Sequence, residues 1–193
     1  MNGLRNGETM YLFDWLFGKK EHVQNVASAP VKAPAVAEVP PRTAATETVA
    51  PGTAIHYHPE LVGKLQQDHQ ALLRLYTQTQ TAARRGDVAQ AARHLEEFRI
   101  LLQGHLLTEN VRLYVYLEHA LAKDASSHQL IRSFRHEMDD IGKAVVKFLT
   151  DYRDLAQHPE FAQQFSEALE GIGKVLAERI RREEETLYPL YSA

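Results

Sequence analysis

Cysteine is absent from all 193 residues of this chain. That absence excludes disulfides, thiolate metal sites and cysteine nucleophiles. The sequence also lacks any run of about 18 apolar residues, so a transmembrane helix is not expected. A net charge of -3 leaves no excess of basic residues, and nucleic acid is therefore not an expected partner. The default expectation is a cytoplasmic protein.

Histidine and carboxylate residues are present in number, with 10 His and 25 Asp plus Glu. Because thiolates are missing, a transition-metal site would have to use imidazole and carboxylate ligands, which suits iron, manganese or zinc. The sequence contains no glycine-rich phosphate loop and no Ser-His-Asp order. Whether the chain is an enzyme therefore stays open, and a non-catalytic role is favoured.

The first 54 residues are predicted to form a flexible arm, followed by one folded domain at 55–193. Residues 27–54 consist largely of Ala, Pro, Val and Thr, a composition typical of a semi-extended tether. Before this tether lies a short apolar patch, Tyr11–Phe17, which is too short for the core of a signal peptide. The patch could bind a protein partner or a membrane surface, or it could have no role.

Four segments with helical periodicity follow the arm. They run from about Pro59 to Arg84, Val88 to Leu121, Ala125 to Ala156, and Pro159 to Tyr188. Gly86 and Asp87 are typical of a helix stop and a helix cap, and Asp124 is a second cap. Long helices with short connections must lie side by side. The sequence therefore predicts an all-α, antiparallel up-down-up-down four-helix bundle.

Ionisable residues interrupt the apolar stripe of every predicted helix. The stripes contain His69 in the first helix, His105 and Glu109 in the second, Glu137 at the edge of the third, and Arg179 and Glu183 in the fourth. Burying an unpaired charge costs several kcal/mol or more. These groups are therefore expected to satisfy one another or to bind a cation.

The second and fourth helices contain an internal repeat. Glu, Leu and Tyr recur at the same offsets in the segments from His105 to Tyr114 and from Arg179 to Tyr188. His105 and Glu109 are spaced so that both side chains leave one helix face. The repeat makes Glu109 and Glu183 equivalents, an arrangement suited to two carboxylates bridging two metal ions. The other charges of segment 181–185 are assigned to solvent, and the tyrosines to packing.

Residues 57–190 resemble the hemerythrin-like (HHE cation-binding) family. The motifs that carry the resemblance are Asp68-His69, His105-xxx-Glu109 with Leu113-Tyr114, and Glu183-Glu184-xx-Leu187-Tyr188-Pro189. The resemblance implies a four-helix bundle holding a di-iron centre. Its ligands are one His from each of the first and third helices, with a His-xxx-Glu or His-xxx-Asp pair from each of the other two. Members carry or sense oxygen, handle nitric oxide or peroxide, or repair iron-sulfur clusters.

Two positions depart from the family's pattern. Arg179 stands where the family has a His, and a guanidinium has no lone pair to offer a metal. In the third helix, periodicity turns His136 to solvent and its neighbour Glu137 inward. The predicted ligands are His69, His105, Glu109, Glu137 and Glu183, with His136 ranked behind Glu137. Arg179 is expected beside the ligands rather than among them.

Three states of the site stay open at this point: a di-iron centre, which is favoured, a single metal beside His69 and His105, or a metal-free core closed by Arg179 and the carboxylates. Carboxylate ligands and few imidazoles favour redox turnover. The expected role is redox, oxygen or nitric oxide sensing or response with a diatomic or peroxide ligand, rather than bulk oxygen storage. The alternative is a metal-free bundle that acts as a regulatory protein-interaction module.

Overall fold

A computed structural model describes residues 49–50 and 55–191. The Tyr11–Phe17 patch and residues 1–48 of the predicted arm lie outside the described residues. In the described part, the regular structure is helical apart from one isolated antiparallel bridge between Val49 and His56. None of the described helices is long and apolar enough to cross a membrane.

Four long helices form the described part of the chain. The first is Leu61–Arg84, and the third is Ala125–Asp151. The second consists of an α-helical segment Val88–Thr108, a π-helical turn Glu109–Tyr114 and a final α-helical segment Val115–Ala120. The fourth begins as an α-helix, Ala162–Arg182, and continues as a π-helical turn, Glu183–Leu187, and a 3-10 turn, Tyr188–Leu190.

The connections between these helices follow the expected turn chemistry. Gly86 adopts a φ of 74° after the first helix, a conformation that residues with a side chain rarely adopt. The carboxylates of Asp87 and Asp124 then accept bonds from the backbone N–H groups of Gln90 and Ser126. Short connections of this kind place successive helices antiparallel. The first and third helices each pack on the second and fourth, which confirms the predicted up-down-up-down bundle.

The third helix ends earlier than the sequence predicted. It stops at Asp151 because Tyr152 leaves the helical region, with φ -110° and ψ 18°. The chain then crosses to the fourth helix through two 3-10 turns, Leu155–Gln157 and Pro159–Phe161. Leu155 is buried there, so this crossing closes one end of the bundle.

Two π-helical turns occupy equivalent positions in the internal repeat. One begins at Glu109 and the other at Glu183. A π turn holds one more residue than an α turn, so two successive side chains can both face inward. Leu113 and Tyr114 are accordingly both buried, as are the residues equivalent to them in the fourth helix, Leu187 and Tyr188. Periodicity at 100° per residue did not predict these turns.

Aliphatic and aromatic side chains fill the end of the bundle where the described chain begins and ends. The buried members are Ala50, Leu61, Leu65, Leu113, Tyr114, Tyr116, Leu117, Ile131, Phe134, Leu187, Tyr188 and Tyr191. Ala50 belongs to the segment that the sequence assigned to the arm, yet its N–H donates to Ile55 O over 2.9 Å. Ala50 therefore packs with the bundle at 1% exposure, whereas its neighbour Val49 is 41% exposed.

Candidate metal centre

A layer of buried ionisable side chains crosses the bundle between leucines. Five of them come from three helices: His69, His105, Glu109, Arg179 and Glu183. In each of these three helices, one buried Leu lies about one turn before the polar residues and another lies about one turn after them. The leucines therefore keep water from both sides of the layer. Such groups must find partners or bind a cation, because their desolvation is otherwise uncompensated.

His69, His105 and Glu183 form the tightest group of metal-ligating atoms in the described residues. One ligand atom from each lies within 4.8 Å of the others, and all three side chains are buried. Nε2 of His69 is 3.3 Å from Oε2 of Glu183, and the two imidazole centroids are 4.7 Å apart. Ligands at about 2.1 Å from an ion lie roughly 3–4 Å apart, so a small contraction would fit one ion.

The ring of His69 is held from its outer side by Glu184. Nδ1 of His69 donates to Oε1 of Glu184 over 2.8 Å, which points Nε2 at Glu183. Burial lowers the pKa of His69, but the carboxylates of Glu183 and Glu184 outweigh burial and bring it above its ordinary value. In the metal-free protein these carboxylates therefore favour the protonated form of the His69 imidazole. Metal binding must displace its proton, so affinity falls as the pH falls.

Glu184→Gln should weaken metal binding about 10- to 100-fold, the usual cost of losing a partner that orients a ligating imidazole. The glutamine amide has the size of the glutamate side chain, but it is neutral and accepts a weaker hydrogen bond from Nδ1 of His69. Glu185→Gln is the matched control, because the neighbouring Glu185 is exposed and pairs with Arg181. Calorimetric titration of both variants measures the effect, and equal affinities would contradict the orienting role of Glu184.

His105 offers an imidazole with no proton to displace. Burial lowers its pKa to about 4, and the positive charge of His69 adds to the effect. Its Nδ1 makes no hydrogen bond within the described part of the chain and lies 4.0 Å from Oδ2 of Asp68. A neutral, buried imidazole with an unused nitrogen beside a carboxylate and a second imidazole fits a metal ligand better than a packing residue.

Glu109 is buried next to this group without a cation of its own. Burial and the charge of Glu183 raise the pKa of its carboxyl well above the ordinary value. Within the described residues, its carboxylate accepts a hydrogen bond from the hydroxyl of Tyr188 over 3.3 Å. The same hydroxyl is 3.2 Å from Nε2 of His69. Ionisation of Glu109 beside the three-residue group is thus disfavoured, and a bound cation would favour it.

Arg179 lies 3% exposed, and each of its three guanidinium nitrogens donates at least one hydrogen bond. Its Nε donates to Glu183, and one terminal nitrogen donates to Phe134 O over 3.0 Å and to Glu137 over 3.1 Å. The other terminal nitrogen donates to the hydroxyl of Tyr114 over 2.6 Å. Since Arg179 and His69 both hold Glu183, they bring the pKa of its carboxyl below the usual range despite burial, which acts the other way.

The structure brings three of the predicted ligands together, His69, His105 and Glu183. The other predicted positions lie outside this group. Glu109 lies beside the group, linked through Tyr188. Glu137 does not join the group, because Arg179 and Arg182 both bind its half-exposed carboxylate. His136 is exposed, on the solvent side that periodicity gave it.

The sequence assigned Glu184 to solvent, and for Tyr114 and Tyr188 it favoured packing over the alternative of hydrogen-bond donors near the site; in the structure all three contact the site. The π turns rotate the residues that follow Glu109 and Glu183, so positions assigned to solvent or to packing reach the polar layer. The repeated Tyr at one offset after each Glu was the signal that could have identified the two tyrosines.

A small cavity opens onto the buried group. It has a volume of about 30 Å³, and its polar lining comes from His69, His105, Arg179 and Glu183. The rest of the lining is mostly apolar: Leu72, Leu73, Tyr76, Phe98, Leu102, Leu106, Met138, Gly173, Leu176 and Ile180. A water needs about 10–15 Å³ measured in the same way, so the cavity has room for one or two waters or a diatomic molecule.

Comparison with known proteins identifies the family of the domain. The sequence profile of the hemerythrin HHE cation-binding domain matches residues 60–191, which is more than half of the chain. No curated protein and no solved structure matches the sequence. The family is described as cation-binding, and the buried group formed by His69, His105 and Glu183 could hold a metal ion. The chain belongs to the hemerythrin family of HHE cation-binding domains.

Proposed function

We propose that this protein binds non-haem iron at His69, His105 and Glu183 and responds to a small oxidant or gas that enters the adjoining cavity. The observation that carries the proposal is the buried group of two imidazoles and one carboxylate at the wall of a cavity of about 30 Å³. Glu109 is the nearest further carboxylate, through Tyr188.

The donor set supports iron and a redox role. Imidazole and carboxylate ligands suit iron, and with no cysteine in the chain a thiolate site is excluded. When bound, iron supplies a redox-active Lewis acid. The carboxylates of Glu183 and Glu109 stabilise the higher charge of ferric iron, which favours a redox response over reversible oxygen storage. The surrounding leucines exclude bulk water from the layer.

The size and polarity of the cavity restrict the ligand. Its volume admits dioxygen, nitric oxide or hydrogen peroxide, and its mostly apolar wall suits gases with little polarity. The polar side of the cavity is lined by His69, His105, Arg179 and Glu183. A larger organic substrate would not fit without movement of the wall.

Exposure of the iron-loaded protein to small ligands tests this function. The full chain is loaded anaerobically with iron(II), freed of excess metal and mixed separately with nitric oxide, peroxide and dioxygen. We expect at least one ligand to change the absorption spectrum in proportion to bound iron. His105→Ala, treated identically, should show no change. Identical spectra for the two proteins, or no response to any ligand, would contradict the proposal.

Gly173→Ala should disturb the cavity wall and destabilise the protein by about 1–3 kcal/mol, the usual cost of overpacking. A Cβ at Gly173 would lie 2.2 Å from Cζ of Tyr76, so the tyrosine ring must move. Gly171→Ala is the control, because nothing lies within 4 Å of its Cβ position. The Gly171→Ala variant should instead gain up to about 1 kcal/mol in free energy of unfolding, because Ala has the higher helix propensity.

Denaturant unfolding compares these two glycine variants, and nitric oxide association rates report on the cavity itself. Truncation of the ring in a Tyr76→Leu, Gly173→Ala double variant should restore most of the lost stability. If the Gly173→Ala variant is as stable as Gly171→Ala and binds nitric oxide at the wild-type rate, the ring of Tyr76 does not shape the cavity.

The alternative function is a metal-free protein-interaction module, and one observation favours it. Arg179 and His69 already satisfy Glu183 without a metal. Iron content decides between the two functions, because only the first requires metal in the purified protein. A partner for the Tyr11–Phe17 patch and a cytoplasmic location stay predictions, which co-purification and cell fractionation would test.

A further inference from the structure

We propose that the site holds one metal ion, and that the guanidinium of Arg179 takes the place of the second ion of a two-metal centre. The inference rests on the proposed function, because it specifies how many ions that site binds. It differs from the di-iron centre that the family resemblance implies.

The internal repeat places Arg179 at the position that corresponds to the metal ligand His105 in the second helix. Arg179 precedes Glu183 by four residues, as His105 precedes Glu109, and each Glu begins a π turn. The two side chains therefore enter the same layer from the second and fourth helices. The ring of His105 packs against the ring of His69, and its Nδ1 makes no hydrogen bond within the described residues. Arg179 meets Phe134 and Glu137 of the third helix.

The third helix supplies no imidazole to the Arg179 side of the layer. His136 is exposed, and the groups that face the guanidinium are the carbonyl oxygen of Phe134 and the carboxylate of Glu137. The phenyl ring of Phe134 also lies under the guanidinium, 4.7 Å from its central carbon. A second ion would find only oxygen atoms there, and Arg179 already binds them.

The guanidinium also places a positive charge where a second ion would bring one. It forms ion pairs with both Glu183 and Glu137, so its single charge is shared between two carboxylates that would otherwise be available to a metal. All three guanidinium nitrogens of Arg179 already donate hydrogen bonds. A guanidinium stays protonated in proteins and has no lone pair for a metal.

The two equivalent tyrosines show how the halves of the repeat differ. Tyr188 directs its hydroxyl to His69 and Glu109, on the side where the free imidazole nitrogen lies. Tyr114 instead accepts a bond from Arg179 over 2.6 Å. One half of the pseudo-symmetric layer thus forms a metal pocket and the other a closed guanidinium pocket.

Metal stoichiometry of the full chain tests this inference without reference to activity. Anaerobic calorimetric titration with iron(II) should give one ion for the wild type and two for Arg179→His, which supplies an imidazole four residues before Glu183. Arg179→Lys is the matched control, because it keeps a cation at this position, and it should bind one ion. Manganese(II) gives a second readout, since electron paramagnetic resonance distinguishes an isolated ion from a spin-coupled pair.

The outcomes separate this inference from the proposed function. Two ions in the wild type, or a coupled manganese pair, would overturn the single-metal site and leave the iron-binding function intact. No bound ion would overturn the proposed function itself. One ion in a folded Arg179→His variant would show that Arg179 does not exclude the second ion. If that variant does not fold, the manganese spectrum of the wild type still decides the number of ions.

Discussion

Replacing Arg179 by methionine should destabilise the metal-free protein by about 3–5 kcal/mol, the usual cost of removing one partner from a buried ion pair. Methionine fills much of the same space but donates nothing. Glu183 would lose one of its two cations, and the buried hydroxyl of Tyr114 and carbonyl of Phe134 would lose a donor. Denaturant unfolding in the presence of a chelator measures the change, with the m-value checked for a constant unfolded state.

Arg181→Met is the matched control for this experiment. Arg181 lies two residues away on the same helix and pairs with Glu178 and Glu185 at the surface. Exposed ion pairs add little to stability, so this variant should unfold close to the wild type. If Arg179→Met were as stable as Arg181→Met, the guanidinium would not be what satisfies the buried carboxylates, and the single-metal inference would lose its electrostatic basis.

His105→Ala should lower the affinity for iron(II) by more than about 100-fold, beyond the loss expected for a partner that only orients a ligand. The reason is that His105 supplies one of the two imidazoles of the group, and its buried Nδ1 has no hydrogen bond to satisfy it among the described residues. Competition with a chromophoric chelator measures affinities in this range.

His136→Ala is the control for the loss of a histidine. His136 is exposed on the third helix, so its removal should leave iron affinity unchanged. The sequence ranked His136 behind Glu137 as a ligand, and this variant tests that ranking directly. Loss of iron in His136→Ala with retention in His105→Ala would mean that the third helix presents a different face in the metal-bound protein.

Helix periodicity and capping residues were sufficient to predict the bundle. Asp87 and Asp124 cap the helices where expected, and the apolar stripes placed His69, His105 and Glu183 in one layer. These features depend on local sequence, on the repeat of the α-helix and on the need to bury one face. That is why one sequence was enough to locate them.

The finer arrangement of the site depends on interactions that a helical wheel does not contain. A π turn adds one residue to a helix with no change in hydrophobic pattern that would mark it, so the inward rotation of Tyr114 and the contact of Glu184 with His69 were missed. Glu137 is half-exposed at the edge of the layer. Its position beside Arg179 and Arg182 depends on a neighbouring helix, which periodicity cannot describe.

Iron content per chain is the most direct test of the metal centre. The protein is purified from iron-supplemented cells and analysed for metals, beside His136→Ala and a His69→Ala, His105→Ala double variant. We predict about one iron per chain in the wild type and in His136→Ala, and none in the double variant. A folded wild-type protein without metal, or a double variant that keeps its iron, would contradict the assignment of His69, His105 and Glu183 as the metal site.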